Sequence, residues 1–347
     1  MVTPKFVTCT DCGKTISVRA LACPHCGAPM TPGQPIPVPD IQQIFQSLVR
    51  GLPQAANTFV SEVGLTTLLN DTRTNVRVFA VSIDGNSRVR TDDLVARLQE
   101  LLIDYVVPRS RIAKAVQDAK AEGSAAPILR LQAEAHRLFV QSSDSGEGGE
   151  MLAYYFAEHL LRLPQIFCKM PLKTNRNMHV HGTDGVHAYF DSTQAKLLLY
   201  FCESKLFAQR RTAVLECLRS LKPYITDSGI NGASARDYLL LSTHLDLDNP
   251  AIEAVVKAFL DRGREEFNKH EVRGICLAGF DCKHYDPTPK DSSVLGQLVT
   301  AELDSWRTHA RSKVIAESIS GVPIDIILFP MPDVQAFRDR FFQSLGG

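Results

Sequence analysis

A carboxylate and an ammonium stand two residues apart in Glu203-Ser204-Lys205, directly after the apolar run Leu197-Leu198-Leu199-Tyr200-Phe201-Cys202. That run is apolar on both alternating faces, the pattern of a strand buried in the middle of a sheet. Residues two apart on a strand point to one face, so Glu203 and Lys205 emerge together where the strand reaches a cleft. Register supplies a second carboxylate. If the segments flanking residues 192–195 form an antiparallel hairpin that pairs Asp191 with Lys196, Asp184 falls opposite Glu203. Opposed Cβ atoms lie on the order of 5 Å apart, close enough for two carboxylates to share one Mg²⁺ or Mn²⁺ ion; without a cation they repel. Such an ion polarises a phosphate ester and lowers the pKa of a bound water. Lys205 then orients or helps deprotonate that water, or stabilises charge on the phosphorus in the transition state. The competing reading is a solvated ion pair at a strand end.

Glu150 follows Gly148-Gly149 at a helix start. It is either a further metal or water ligand or a favourable charge at a helix N-terminus. His179, His181 and His187 crowd around Asp184. His181 is a candidate for touching phosphate or tuning the metal site. His187, at odd spacing from Asp184, faces the other way on a regular strand, and structural hydrogen bonds or surface positions are expected for His179 and His187.

Cys9, Cys12, Cys23 and Cys26 form C-x2-C-x10-C-x2-C. Two such knuckles direct four thiolates to one point, a closed tetrahedral zinc site that is structural because no coordination position stays open. Gly27 permits the tight turn of the second knuckle. His25 is an alternative ligand, and two redox C-x-x-C pairs are the alternative reading, although no βαβ pattern surrounds either. The other five cysteines, Cys168, Cys202, Cys217, Cys276 and Cys282, follow no motif and are expected as small buried hydrophobes.

The elements that must position these groups follow from periodicity. Pro29, Pro32, Pro35, Pro37 and Pro39 make an extended spacer after the ribbon, and Asp40 caps an amphipathic helix carrying Ile41, Ile44, Phe45, Leu48 and Val49. Strands are expected at 76–83, 165–170, 185–191, 196–203, 272–280 and 324–329. Helices are expected at 92–106, 110–121, 126–140, 150–162, 208–222, 235–245, 251–262, 292–315 and 333–343. This alternation argues for an α/β core layered by helices. The expected domains are a ribbon at 1–30, a linker at 31–39, a strand with helices at 40–140 and the chemistry-bearing domain at 141–347.

The chain has 347 residues, with 38 basic and 38 acidic side chains and 44% hydrophobic residues. That composition buries a sizeable core and excludes a uniformly basic nucleic-acid coat or an acidic disordered tail. Charge is uneven locally: residues 162–176 carry a net +4 and residues 203–222 a net +3. Positive charge beside the carboxylates suits a phosphate backbone, and ordinary solvated faces explain either run taken alone. Unpaired cysteines, no apolar leader and no membrane-length apolar run give the expectation of a soluble cytoplasmic protein.

An Asp followed by Glu-x-Lys on the adjacent strand resembles the active-site pattern of PD-(D/E)xK nucleases. The series Gly146-Glu147-Gly148-Gly149-Glu150, His181-Gly182-Thr183-Asp184-Gly185-Val186-His187 and Glu203-Ser204-Lys205 resembles HamA, the nuclease effector family of Hachiman antiphage defence. The resemblance runs from about Val76 to the C-terminus. It implies an α/β, PD-(D/E)xK restriction-endonuclease-like core, here with an added four-cysteine zinc ribbon. It further implies Mg²⁺- or Mn²⁺-dependent DNA cleavage and a helicase partner, HamB, that restrains the nuclease. Carried over by position, Asp184, Glu203 and Lys205 are catalytic and Glu150 assists. The family often has glycine where Cys202 stands, and the ribbon lies outside its shared core. A zinc-ribbon adaptor without catalysis and a nuclease of the same fold acting on RNA are the alternatives.

Overall fold

A computed structural model describes residues 6–9, 11–17, 23–27, 41–51, 58–139, 146–168, 182–226, 238, 240, 241 and 243–346. The proline spacer, His179, His181, most of the basic run 162–176 and residues 235–237, 239 and 242 of the helix expected at 235–245 lie outside the described residues. The chain divides into two compact units, residues 1–41 and 42–347.

The first unit is a small hairpin. β1 (Phe6–Thr8) pairs antiparallel with β2 (Thr15–Ser17), and Ile16 packs with Cys9, Cys23 and Cys12 in a miniature core. Each cysteine pair is closed by the same device. Gly13 donates its N–H to the Cys9 carbonyl at 2.9 Å, and Gly27 donates to Cys23 at 2.8 Å. Both glycines hold positive φ, 69° and 74°, where a side chain would be strained.

The second unit is built on an eight-stranded sheet. Its strands are β3 (Val60–Glu62), β4 (Thr67–Leu68), β5 (Thr74–Val81), β6 (Gln165–Phe167), β7 (Gly185–Asp191), β8 (Lys196–Phe207), β9 (His270–Asp281) and β10 (Ile324–Met331). The order β3-β5-β10-β9-β8-β7-β6, with β4 also on β5, sets four parallel strands (β5, β10, β9, β8) between antiparallel flanks. Parallel strands need helical crossovers, which cover both faces and bury the middle of the sheet. Ile275, Cys276, Leu277, Ala278 and Ile326 to Phe329 are accordingly fully buried.

The helices are α1 (Ile41–Leu48), α2 (Thr91–Glu100), α3 (Leu102–Val106), α4 (Arg109–Glu122), α5 (Ala126–His136), α6 (Glu147–Tyr154), α7 (Arg210–Thr226), α8 (Pro250–Leu260), α9 (Ser292–Thr300), α10 (Leu303–Ala316) and α11 (Val334–Ser344). Two helices expected as continuous are broken. Leu101 (ψ −3°) ends α2 in a tight turn that bonds its N–H to Leu98, and Glu302 bonds back to Val299 between α9 and α10. The helix expected at 150–162 starts earlier, at Glu147, and widens into a π-helical turn at Tyr155–Leu160. β3 and β4 lie in a stretch where the periodicity gives no element. No helix among the described residues is long and apolar enough to cross a membrane.

Helices approach the sheet through glycines. A Cβ on Gly274 of β9 would meet Leu221 Cδ2 of α7 at 2.6 Å and Ile324 Cγ1 of β10 at 3.4 Å. Gly274→Val should therefore destabilise the protein by about 1–3 kcal/mol, the usual cost of overpacking. Gly296→Ala, where a Cβ meets nothing within 4 Å, should be neutral or slightly stabilising. Denaturant titrations of the two variants check the contrast.

Candidate active site and metal centre

β7 and β8 pair as the hairpin arithmetic requires, with Asp191 opposite Lys196 and Gly185 opposite Cys202. β8 does not stop at Glu203. It continues to Phe207 and stays paired with β9, Glu203 beside Cys276 and Lys205 beside Ala278. The charged triplet therefore lies inside the sheet, not beyond its end.

Glu203 is only 3% exposed. A carboxylate so placed must be paired and hydrogen-bonded. Its Oε2 accepts from Ser220 Oγ of α7 at 2.7 Å and lies 3.3 Å from Lys205 Nζ. Burial pulls the Lys205 pKa down, but the Glu203 and Asp184 charges outweigh it and the net shift is upward, favouring the ammonium.

At Asp184 the ladder slips. Its N–H donates to the Cys202 carbonyl at 2.9 Å, one residue out of step with the pairs beyond it. The Thr183 hydroxyl donates to the same carbonyl. This turn carries the Asp184 carboxylate onto Ser204, whose N–H and Oγ donate to Oδ2 at 2.8 and 2.7 Å. Ser204 is the residue between Glu203 and Lys205, so Asp184 is anchored to the triplet itself.

α6, which carries Glu150, packs on β8 at Ser204 and Leu206. A Cβ on Gly149 would stand 3.0 Å from Ser204 Oγ and 3.4 Å from Leu206 Cγ, so glycine is what lets α6 close on β8. Glu150 Oε2 accepts from the buried Tyr105 hydroxyl at 2.9 Å, and that hydroxyl lies 3.3 Å from the Asp184 carbonyl. Burial, then the Glu150 and Asp184 charges, hold the phenol pKa well above its ordinary value, so Tyr105 remains a donor. Tyr105, Ser204 and Ser220 are the positioning groups that spacing alone did not identify.

His187, opposite Tyr200 in the hairpin, is 1% exposed. Its Nδ1 bonds the Leu163 carbonyl at 2.7 Å, and burial lowers its pKa to about 4. It is a structural histidine beside the buried Glu158, whose pKa burial pushes up to about 7 against the pull of N–H donors from Arg50 and Gln165 and the charge of Arg109.

Among the described residues, the one group of three or more metal-type side chains with converging donor atoms is Cys9, Cys12, Cys23 and Cys26, all within 4.8 Å of one another. The Cys9–Cys26 and Cys12–Cys23 sulfurs are 3.6 Å apart. Four sulfurs at about 2.3 Å from zinc form a tetrahedron with edges of roughly 3.8 Å, so the set fits that ion. The His25 N–H points at Cys23 Sγ, 3.4 Å away. Although burial opposes it, donation from the His25 and Cys26 backbones lowers the Cys23 pKa to about 6, which favours the metal-binding thiolate.

Tyr105→Phe removes the shared donor from Glu150 and should cost about 1–3 kcal/mol of stability, measured by denaturant titration. Removal of residues 1–40 should abolish zinc binding, from one ion per chain to none by metal analysis. It should leave the melting temperature of the α/β unit unchanged.

A search of curated proteins returned no match. The family model HamA matches residues 57–345, most of the chain, beginning just ahead of β3 and ending in the last turn after α11. The matched span holds every residue of the carboxylate and lysine cluster and leaves the four-cysteine ribbon outside. The chain belongs to the HamA family.

Proposed function

We propose that this HamA protein is a Hachiman defence effector that cleaves DNA by a metal-dependent, PD-(D/E)xK-type reaction. The observation that carries the reading is the anchoring of Asp184 to Ser204, the residue between the paired Glu203 and Lys205. Asp184 and Glu203 would hold Mg²⁺ or Mn²⁺. Two carboxylates suit such a hard cation, which when bound would supply polarisation of a phosphate ester and a lowered pKa for a water. Ser204 and Ser220 fix the two carboxylates, and Glu150, held by Tyr105, would serve as a further water or metal ligand. Lys205, paired with Glu203, supplies a positive charge where the pentacovalent phosphorus gathers negative charge.

Cleavage with little sequence readout endangers the host, and the sequence contains no G-x-x-x-x-G-K-[ST] loop with which to couple it to ATP. A helicase partner of the HamB type supplies that coupling. The ribbon, which the family model does not cover, is an added docking or DNA-binding element.

Purified protein should nick plasmid DNA with Mg²⁺ and stop with EDTA. Glu203→Gln, which keeps an acceptor for Ser220, should lower the rate about 100-fold or more with unchanged melting temperature, and Lys205→Ala should lower it as much while also lowering the melting temperature, because it leaves the buried Glu203 carboxylate without its cation. Full activity in the double variant excludes the nuclease reading in favour of an adaptor. Cleavage of RNA alone assigns the same chemistry to the other substrate.

A further inference from the structure

A cationic surface lies on the sheet face that carries Glu203 and Lys205. α7 begins at Arg210, three residues after β8 ends at Phe207, and it packs on this face through Ser220 and Leu221. The Arg210 guanidinium sits 5.4 Å from the ring centroid of Trp306 on α10, and Trp306 is itself packed against Phe280 of β9. Trp306, His309 and Lys313 recur at three- and four-residue spacing, which puts them on one side of α10. The His309 ring reaches the Arg211 backbone.

Part of the donor capacity of this surface is unspent. Arg210 Nη1 and His309 Nε2 are shut from bulk water without a hydrogen-bond partner. Atoms so enclosed take an ordered water at most, so a ligand as large as a phosphodiester would meet the exposed Arg211 and the accessible parts of Arg210, His309 and Lys313. Arg210, Arg211 and Lys313 form no ion pair among the described residues, although Glu302 lies within electrostatic reach of Arg210. The neighbouring acids are already engaged. Glu302 holds Lys283 at 3.1 Å, His284 at 2.8 Å and Trp306 Nε1 at 3.1 Å, while Glu317 holds Arg219 at 3.1 Å and Lys222 at 3.4 Å. The pKa of His309 is lowered, first by burial and then by the charges of Arg210, Lys313 and Arg211. The chain as a whole carries no net charge, which makes the accumulation local.

We propose that Arg210, Arg211, His309 and Lys313 form a clamp for the phosphodiester backbone of the DNA whose scissile phosphate reaches Lys205. The guanidinium forks and the ammonium match phosphate oxygens, and the first turn of the 17-residue α7 adds the partial positive charge of a helix N-terminus. Lys205 is two residues from the end of β8, roughly 7 Å along the strand. The clamp is thus a few phosphates from the reacting bond and holds the strand without reading its bases. The placement rests on the nuclease reading; the binding it predicts does not.

The test uses the full chain with Glu203→Gln, so that DNA stays intact, and the anisotropy of a labelled mixed-sequence duplex at several salt concentrations. Arg211→Ala with Lys313→Ala should raise Kd about tenfold or more and reduce the slope of log K against log salt by about two. Lys120→Ala with Lys290→Ala, a charge-matched pair of exposed lysines elsewhere, should stay within about twofold of the parent. A parent that binds no DNA, or a clamp variant indistinguishable from the charge-matched one, overturns the clamp. Binding that depends on the clamp in a wild-type chain that never cuts DNA leaves the clamp standing and removes the nuclease reading.

Discussion

Burying one carboxylate in the middle of a sheet sets the terms for everything around it. Glu203 is 3% exposed on a strand paired on one side with β9 and followed on its other face by α7. An ionised carboxylate in such a place costs several kcal/mol unless it is paired and hydrogen-bonded. Ser220 and Lys205 meet that demand, and each fixes a neighbour in turn. Ser220 ties the packing of α7 to the orientation of the carboxylate. Lys205 holds its ammonium on the same face, and Asp184 is drawn in by the Ser204 donors from the adjacent position. The slip at the start of β7 belongs to the same constraint. A regular ladder would place Asp184 opposite Glu203, two like charges face to face, whereas the turn at Asp184 sets its carboxylate on neutral donors instead.

The hairpin, the buried strand and the ribbon were legible because each rests on a local rule: period two, a short turn, and knuckle spacing. Leu197 to Cys202 announces its burial in composition, and the pairing of Asp191 with Lys196 carries the register to Gly185. Local rules end where tertiary contacts begin. Tyr105 occupies an apolar stripe and looks like any core aromatic; only the fold brings its hydroxyl to Glu150. Ser220 is one polar residue on a long helix, and nothing in its neighbourhood signals a partner 17 positions upstream. The breaks after α2 and α9 leave no mark in the pattern for the opposite reason, since a single tight turn does not interrupt helical periodicity. β3 and β4 are too short for alternation to register, and they are stabilised by pairing with β5 rather than by their own sequences. The paired glycines before Glu150 are legible only in retrospect: Gly149 is the contact with β8 and Gly148 the contact with Phe337 and Phe341 of α11.

Charge distribution links the site to its surroundings. Glu150, Asp184 and Glu203 set three carboxylates against the single ammonium of Lys205, so the metal-free centre is negative while the α7–α10 surface beside it is positive. At physiological ionic strength, attraction falls off over about 8 Å, so each region acts mainly on what touches it. On the proposed nuclease reading, a DNA backbone would gain from the cationic surface and lose at the bare carboxylates, and a divalent cation held by Asp184 and Glu203 would reverse the sign of the second contribution. Binding of the backbone, governed by arginine and lysine on the helices, and alignment of the scissile phosphate, governed by the cation, would then be separate steps, so that a partner covering the clamp would restrain cleavage without altering any group at the reacting phosphate.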